Sequence, residues 1–119
     1  MIHAGLALGD ITPPLGTPCA LGLDNAAIEV LDPAYIRTLA ISDGETEVFL
    51  VCADVIGLYR YEDRAVRAQV AQALGVPFGN VVLHATHTHQ SPNVRVQNGR
   101  YLARHGLVSY SPEFWEAFK

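Results

Sequence analysis

Three of the five histidines of this chain fall within six positions, in the stretch VVLHATHTHQSPN. An apolar run of β-forming residues leads into the sequence THTH, and Pro92 ends regular structure. If the run through His89 is one strand, the two-residue period places His87 and His89 on one face and His84 on the other. Two imidazoles at the end of a buried strand are suited to bind one zinc ion, whereas a catalytic zinc usually has about three protein ligands and a water. The motif therefore predicts part of a zinc site, with its other ligands supplied from elsewhere.

A strand, helix and strand order surrounds this motif, over 48–53, 61–74 and 81–86. Such a unit pairs its two strands in parallel, so both strands end at the same edge of the sheet, where ligands bind in open α/β folds. Asp54 follows the first strand and His87 follows the second. We therefore predict that Asp54 lies near the histidines, as a metal ligand or as an acceptor that orients an imidazole. The alternative is that Asp54 caps the turn after its strand.

The other segments extend this sheet. A first strand is predicted over 3–8, and the alternating segment 35–42 is joined to 48–53 through an Asp-Gly turn signal, which favours an antiparallel hairpin. The unbroken apolar run over 48–53 is typical of a strand covered on both faces. The predicted fold class is therefore α/β, a mixed sheet with a βαβ crossover and an antiparallel hairpin strand.

The segment from Pro13 to Pro33 lacks periodicity, because its prolines and glycines, Gly22 among them, interrupt helix and strand. Near the carboxyl end, Ser111, Pro112 and Glu113 have the types expected at a helix start. That helix has no stop signal before the chain ends. We therefore expect residues 1–119 to be the amino-terminal portion of a single catalytic domain, an incomplete domain truncated at the last residue.

Composition restricts the class of partner. The net charge is −4 and the chain has a single lysine, which argues against nucleic acid as a partner because phosphate binding requires clustered Lys and Arg. Arg95, Arg100 and Arg104 are the only local grouping of arginines and are interpreted as a solvated loop face, with an anion-steering patch as the alternative. Residues 1–10 lack the features of a signal peptide, with removal of an export signal as the alternative, and no apolar run approaches the length of a membrane span. Its two cysteines do not define a compartment.

The histidines also have structural interpretations. His84 lies inside the apolar run, which favours a buried, hydrogen-bonded core histidine. His3 and His105 have no local partners and are predicted to lie at the surface. For His87 and His89, the alternative to metal binding is a structural pair whose ring nitrogens are satisfied by neighbouring hydroxyl groups.

Several segments together resemble the amino-terminal part of the neutral/alkaline, non-lysosomal ceramidase family. They are, in chain order, the early strand running into Asp10-Ile11-Thr12-Pro13-Pro14 with Gly16 behind it, Asp32-Pro33, the strand ending in Ala53-Asp54, the helix followed by Gly75 and Pro77, and Asn80-Val81-Val82-Leu83 leading into Ala85-Thr86-His87-Thr88-His89. Each piece alone is common, but their order and spacing cover nearly the whole chain. The resemblance implies a zinc-dependent amidase that cleaves the N-acyl bond of ceramide or of a related lipid.

Site roles follow from the resemblance residue by residue. It implies that His87 is a zinc ligand and that His89 stands beside the metal, where it contacts the substrate carbonyl or the attacking water. It also implies that the remaining ligands, a histidine, a glutamate and a tyrosine, lie beyond Lys119 in the remainder of the polypeptide. Family members are often secreted, and their substrate is a small-molecule or lipid N-acyl compound, which a membrane surface could present.

One departure from the family pattern concerns the substrate. The family commonly follows the motif with Ser-Gly-Pro and further glycines, whereas this chain has Gln90-Ser91-Pro92-Asn93. Two alternatives to a ceramidase-like enzyme therefore stand: a metal-dependent hydrolase of a different ester or amide on the same scaffold, and a non-catalytic α/β module.

Overall fold

A computed structural model describes residues 1–19 and 26–119, so part of the aperiodic segment, including Gly22, lies outside the described residues. The sheet has four strands in the order β1-β2-β3-β4. The elements are β1 (His3–Asp10), β2 (Tyr35–Ser42), β3 (Glu47–Ala53), α1 (Arg60–Leu74), a 3₁₀ turn (Phe78–Asn80), β4 (Val81–Ala85), α2 (Val96–Ala103) and α3 (Pro112–Phe118). β1 and β3 flank β2 antiparallel, and β3 pairs with β4 in parallel. The predicted fold class is confirmed.

The β2–β3 hairpin depends on its turn. Gly44 has a φ of 101°, which a residue with a side chain rarely adopts. The carboxylate of Asp43 accepts the backbone N–H groups of Glu45 (3.0 Å) and Thr46 (2.8 Å). Local chemistry at Asp-Gly therefore stabilises the turn of the antiparallel hairpin that the sequence predicted.

Helix α1 covers one face of the sheet. Its residues Val66 and Ala71 are buried, and Ala71 packs with Val51 of β3 and Val81 of β4. The helix ends at Gly75, whose left-handed conformation (φ 70°) directs its N–H to the carbonyls of the last turn. The spacing of apolar residues and the Gly stop therefore predict this helix correctly.

Helix α3 completes the core on the same side. The Ser111 hydroxyl accepts the Phe114 N–H at 3.0 Å, which is the predicted cap. Phe114, Trp115 and Phe118 are all buried and join the cluster that contains Val66 of α1. The aromatic residues thereby attach the carboxyl-terminal segment to the crossover helix, about 50 positions earlier in the chain.

Helix α2 was not expected, and it corrects the interpretation of the arginines as a loop face. Arg95 occupies the N-cap position, Arg100 lies within the helix and Arg104 follows its last residue. Sequence periodicity missed it because it is only eight residues long and contains Gly99. Gly99 is buried, and a Cβ there would collide with the ring of Tyr110.

Replacing Gly99 by alanine is expected to lower the free energy of unfolding by about 1 to 2 kcal/mol, because overpacking against Tyr110 outweighs the helix propensity that alanine adds. Urea denaturation would measure the loss. Gly5→Ala is the matched control, since no atom lies within 4 Å of a Cβ built at Gly5. Equal stability of the two variants would contradict the packing argument.

The opposite face of the sheet is apolar and open. Leu6, Leu39, Leu50 and Val82 form one row across all four strands, and Leu6 is 87%, Leu50 40% and Val82 48% exposed. The expectation that β3 is covered on both faces is therefore wrong for the part of the chain described. An unbroken apolar run shows that both faces are hydrophobic but does not specify what covers each one. No helix among the described residues is long and apolar enough to cross a membrane.

Candidate functional site

The parallel pairing of β3 and β4 brings the predicted residues to one edge of the sheet. Ala53 pairs with Ala85 at the end of the ladder, so Asp54 and Thr86 follow directly beyond it. The backbone N–H of Thr86 donates to Ala53 O at 3.0 Å, and that of His87 donates to Val55 O at 3.1 Å. The prediction that Asp54 and His87 share an edge is confirmed.

The strand that leads to the motif is shorter than expected. β4 ends at Ala85, so strand alternation does not orient His87 and His89. The prediction that His84 is a core histidine is wrong: its side chain is exposed. His84 pairs with Cys52 in the register and shares the open face of the sheet with it, and an apolar run alone does not tell which face is covered. His3 and His105 are exposed, as predicted.

His87 has an unusual backbone conformation. Its φ of 63° is the only positive value at a residue other than glycine among those described. Such a conformation costs about 1 to 3 kcal/mol and is found mainly at functional sites. It turns the chain out of the strand direction directly after Thr86.

The imidazole of His87 is oriented by one backbone carbonyl. Its Nδ1 lies 2.6 Å from Ile56 O. Because a carbonyl oxygen can only accept, Nδ1 carries the proton and donates it, which leaves the lone pair of a neutral ring on Nε2. Histidines that bind metals commonly have this arrangement, with the second ring nitrogen donating to a carbonyl or carboxylate.

The two histidines of the motif meet despite the early end of the strand. Their ring centroids lie 5.0 Å apart with an interplanar angle of 71°, and both side chains are exposed. Within residues 1–19 and 26–119, no group of three or more His, Cys, Asp and Glu side chains is placed to hold a metal ion. The described residues therefore offer a pair of adjacent imidazoles as potential ligands.

Asp54 lies at the same edge but binds other groups. Its Oδ2 accepts the Tyr35 N–H at 2.9 Å and the guanidinium of Arg37 at 2.8 Å. Burial favours the neutral carboxyl and by itself would raise the pKa of Asp54. Hydrogen bonds from Arg37, the Tyr35 N–H and Thr86, together with the charge of Arg37, outweigh burial and hold this pKa below its usual value. In the described part of the chain, the acceptor that orients the imidazole of His87 is the carbonyl of Ile56 and not Asp54. The sequence could not indicate this acceptor, because a backbone carbonyl has no sequence signal.

Asp10 ends β1 at this edge, since it pairs with Tyr35 in the register. Its Oδ1 accepts the Thr12 N–H at 2.7 Å. Hydrogen bonds from the side chain and backbone of Thr12 lower the pKa of Asp10. Asp10 therefore anchors the turn before the two prolines, which is the structural role that Asp commonly has in turns.

Two depressions flank the motif. A shallow cleft of 510 Å³ is lined by His87 together with residues of the loop from Ile56 to Arg60 and of β4. A groove of 600 Å³ separates Asp54, Thr88 and Ser91 from the amino-terminal loop, which contributes Ala26 to Ala34 among others. The candidate site therefore lies between two surface depressions.

Comparisons with known proteins identify the fold. No protein-family model matches the sequence, and no curated protein matches it. A solved structure described as a ceramidase complexed with C2 aligns with a TM-score of 0.64 and 24% identity, over 77% of this chain and 15% of that one. Neutral ceramidase from Pseudomonas aeruginosa aligns with the same TM-score and identity, over 77% of this chain and 16% of its own.

These alignments show that the chain has the same mixed α/β fold as one part of the ceramidase structures. The resemblance to neutral ceramidases that the sequence motifs indicated is confirmed at the level of the fold. The chain spans about 15% of the length of the first of these ceramidases.

Proposed function

We propose that this chain is the amino-terminal portion of the catalytic domain of a zinc-dependent amide hydrolase that resembles neutral ceramidase. The observation that carries the proposal is the hydrogen bond of 2.6 Å between His87 Nδ1 and Ile56 O. It orients the ring and leaves Nε2 as the free donor atom, which is the state that a zinc ligand requires. The likeness in fold to ceramidase structures supports the same assignment.

Each residue of the edge has a distinct role in this proposal. His87 holds zinc through Nε2, and His89 lies beside the metal as a second candidate ligand or as the group that donates a hydrogen bond or moves a proton at the substrate carbonyl. Asp54 accepts a hydrogen bond from Thr86, the residue before His87. It is a candidate catalytic residue only because it lies at the same edge of the sheet as His87. When bound, zinc supplies Lewis acidity and lowers the pKa of water. A zinc site needs about three protein ligands, so the others come from polypeptide outside these 119 residues.

The substrate is an N-acyl amide, with a lipid as the leading class. The groove beside Thr88 is partly apolar, lined among others by Ile28, Val30 and Leu31, and these residues suit a substrate with a hydrocarbon chain. A hydrolase of a different amide or ester is the second candidate, favoured by one observation: Ser91 and Asn93 are buried where the family has glycines that would lie against the substrate.

The deciding experiment combines metal analysis with a substrate panel. The protein containing this chain, purified at ceramidase length, is expected to hold about one zinc per chain and to hydrolyse ceramide or simpler N-acyl amides. Esters of the same acyl chain separate the two candidates. Residues 1–119 alone are expected to be inactive, and hydrolysis by this piece would contradict the proposal that ligands lie outside it.

His89→Ala is expected to separate metal binding from turnover. Loss of a proton carrier or hydrogen-bond donor beside the metal should lower kcat about 10²- to 10⁴-fold while zinc content stays close to one per chain. Metal analysis and steady-state kinetics on the same preparation would measure both. If His89→Ala instead removed the zinc, His89 would be a ligand on a par with His87.

A further inference from the structure

The segment that follows the histidines is buried where the family has glycines. Ser91 is 1% and Asn93 3% exposed. Asn93 accounts for much of this burial, because its polar groups bind three other parts of the chain. Its backbone N–H donates to Pro18 O at 3.0 Å and its Nδ2 donates to Ser109 O at 2.5 Å.

The side-chain oxygen of Asn93 is also used. Oδ1 accepts the backbone N–H of Arg95 at 3.0 Å and its Nε at 3.2 Å. The bonds from Asn93 thus join the amino-terminal loop, the residue preceding α2 and the segment before α3. A buried amide with these partners is costly to replace, since substitution of the side chain removes the donor to Ser109 O and the acceptor of the Arg95 backbone N–H.

His89 lies between two residues that are hydrogen-bonded to other segments, His87 and Asn93. On its amino-terminal side, His87 is held by Val55 O and Ile56 O. On its carboxyl-terminal side, Gln90 N–H and Ser91 Oγ donate to Thr88 within the loop, and Asn93 is the first residue whose side chain bonds to another segment. The imidazole of His89 makes no side-chain hydrogen bond within the described residues, and its ring contact is with His87. Its place opposite His87 is therefore set by the two anchored ends of a short loop.

We propose that Asn93 is a positioning residue that holds His89 against His87, so that the two imidazoles act on one metal and one substrate. The catalytic part of this inference rests on the proposed function. A residue that holds a catalytic loop commonly affects rate strongly, because a displacement of about 1 Å at the reacting groups can cost about 100-fold.

The first test measures position without any metal. In NMR spectra of the 119-residue chain, the rings of His87 and His89, whose centroids are 5.0 Å apart, are expected to show a cross-relaxation peak. Asn93→Ala should abolish this peak. Asn80→Ala is the matched control, because Asn80 Nδ2 donates to the backbone carbonyl of Glu47 at 2.8 Å, at the other end of β4. The control should lose this one side-chain hydrogen bond and keep the peak.

The outcomes are distinct. Loss of the peak in Asn93→Ala alone supports positioning, whereas its persistence there, or its loss in both variants, overturns it. If Asn93→Ala does not fold, Asn93→Asp serves instead, because it keeps the acceptor for Arg95 and loses the donor to Ser109. A peak of full intensity in folded Asn93→Asp would also overturn the inference.

The second test measures the consequence for catalysis. In the ceramidase-length protein, Asn93→Asp is expected to lower kcat about 10- to 100-fold with zinc content and KM nearly unchanged, while Asn80→Ala retains kcat. Absence of zinc and activity from the unmodified protein would refute the proposed function and leave the NMR result to decide the positioning. Unchanged kcat in Asn93→Asp, with an active parent, would refute the positioning.

Discussion

His87→Ala is expected to remove zinc from the protein and to abolish amide hydrolysis. The substitution deletes the imidazole whose Nδ1 is bound to Ile56 O and whose Nε2 is free for a metal. Loss of one ligand from a site with about three leaves too few donors to retain the ion. Zinc content should fall from about one per chain to background, and kcat/KM should fall by more than about 10⁴-fold, beyond the effect expected for His89→Ala.

His3→Ala is the matched control for this experiment. His3 is the first residue of β1, at the opposite end of that strand from Asp10, and its side chain is exposed. The variant should retain zinc and at least about half of the activity, because surface substitutions usually change little. Unchanged zinc content in His87→Ala would favour the alternative of a non-catalytic module with structural histidines.

Asp54→Ala is expected to destabilise the fold by about 1 to 4 kcal/mol. The substitution leaves the Tyr35 N–H without its acceptor in a partly buried position, which costs about 1 to 3 kcal/mol, and removes the ion pair with half-exposed Arg37, which contributes about 1 kcal/mol or less. Urea denaturation of the two proteins would measure the difference. Asp54→Asn keeps an acceptor for the amide and should lose only about 1 kcal/mol.

The stabilisation by the Asp54 charge depends on pH. Its pKa is lowered in the folded protein, so the carboxylate contributes stability above the pKa of the unfolded chain, about 3.9. That contribution is lost as pH falls through the lower, folded pKa. The stability difference between the parent and Asp54→Asn should therefore be constant from pH 7 to about 5 and shrink below about pH 4. A difference that grows on acidification would show that the sign is wrong.

Local sequence determined the sheet and its connections. The alternation over Tyr35–Ser42, the Asp43-Gly44 turn and the apolar spacing of α1 each depend on residues close together in the chain, and the observed β2 coincides with the predicted segment. The shared edge of Asp54 and His87 followed as well, because strand, helix, strand order has few arrangements. Fold class and the place of the candidate site were accordingly predictable from the sequence.

Only the tertiary structure shows which groups bind the residues at the edge of the sheet. The carbonyl of Ile56 that orients His87 is a backbone group without a sequence signature. Tyr35, which binds Asp54, and Ser109, which binds Asn93, lie on segments distant in the chain. Helix α2 forms around a buried glycine that packs on Tyr110, a contact outside the reach of periodicity. His84 was misassigned because burial depends on which face of the sheet a helix covers.

The histidine motif illustrates both contributions. Residue types and spacing were sufficient to predict two imidazoles side by side, and their rings do meet at 5.0 Å. The predicted cause, strand alternation through His89, was wrong, because β4 ends at Ala85 and His87 turns the chain with a φ of 63°. Such a conformation is stable only when surrounding hydrogen bonds outweigh its strain, and the bonds of His87 to Val55 O and Ile56 O, which only the folded chain brings together, supply them.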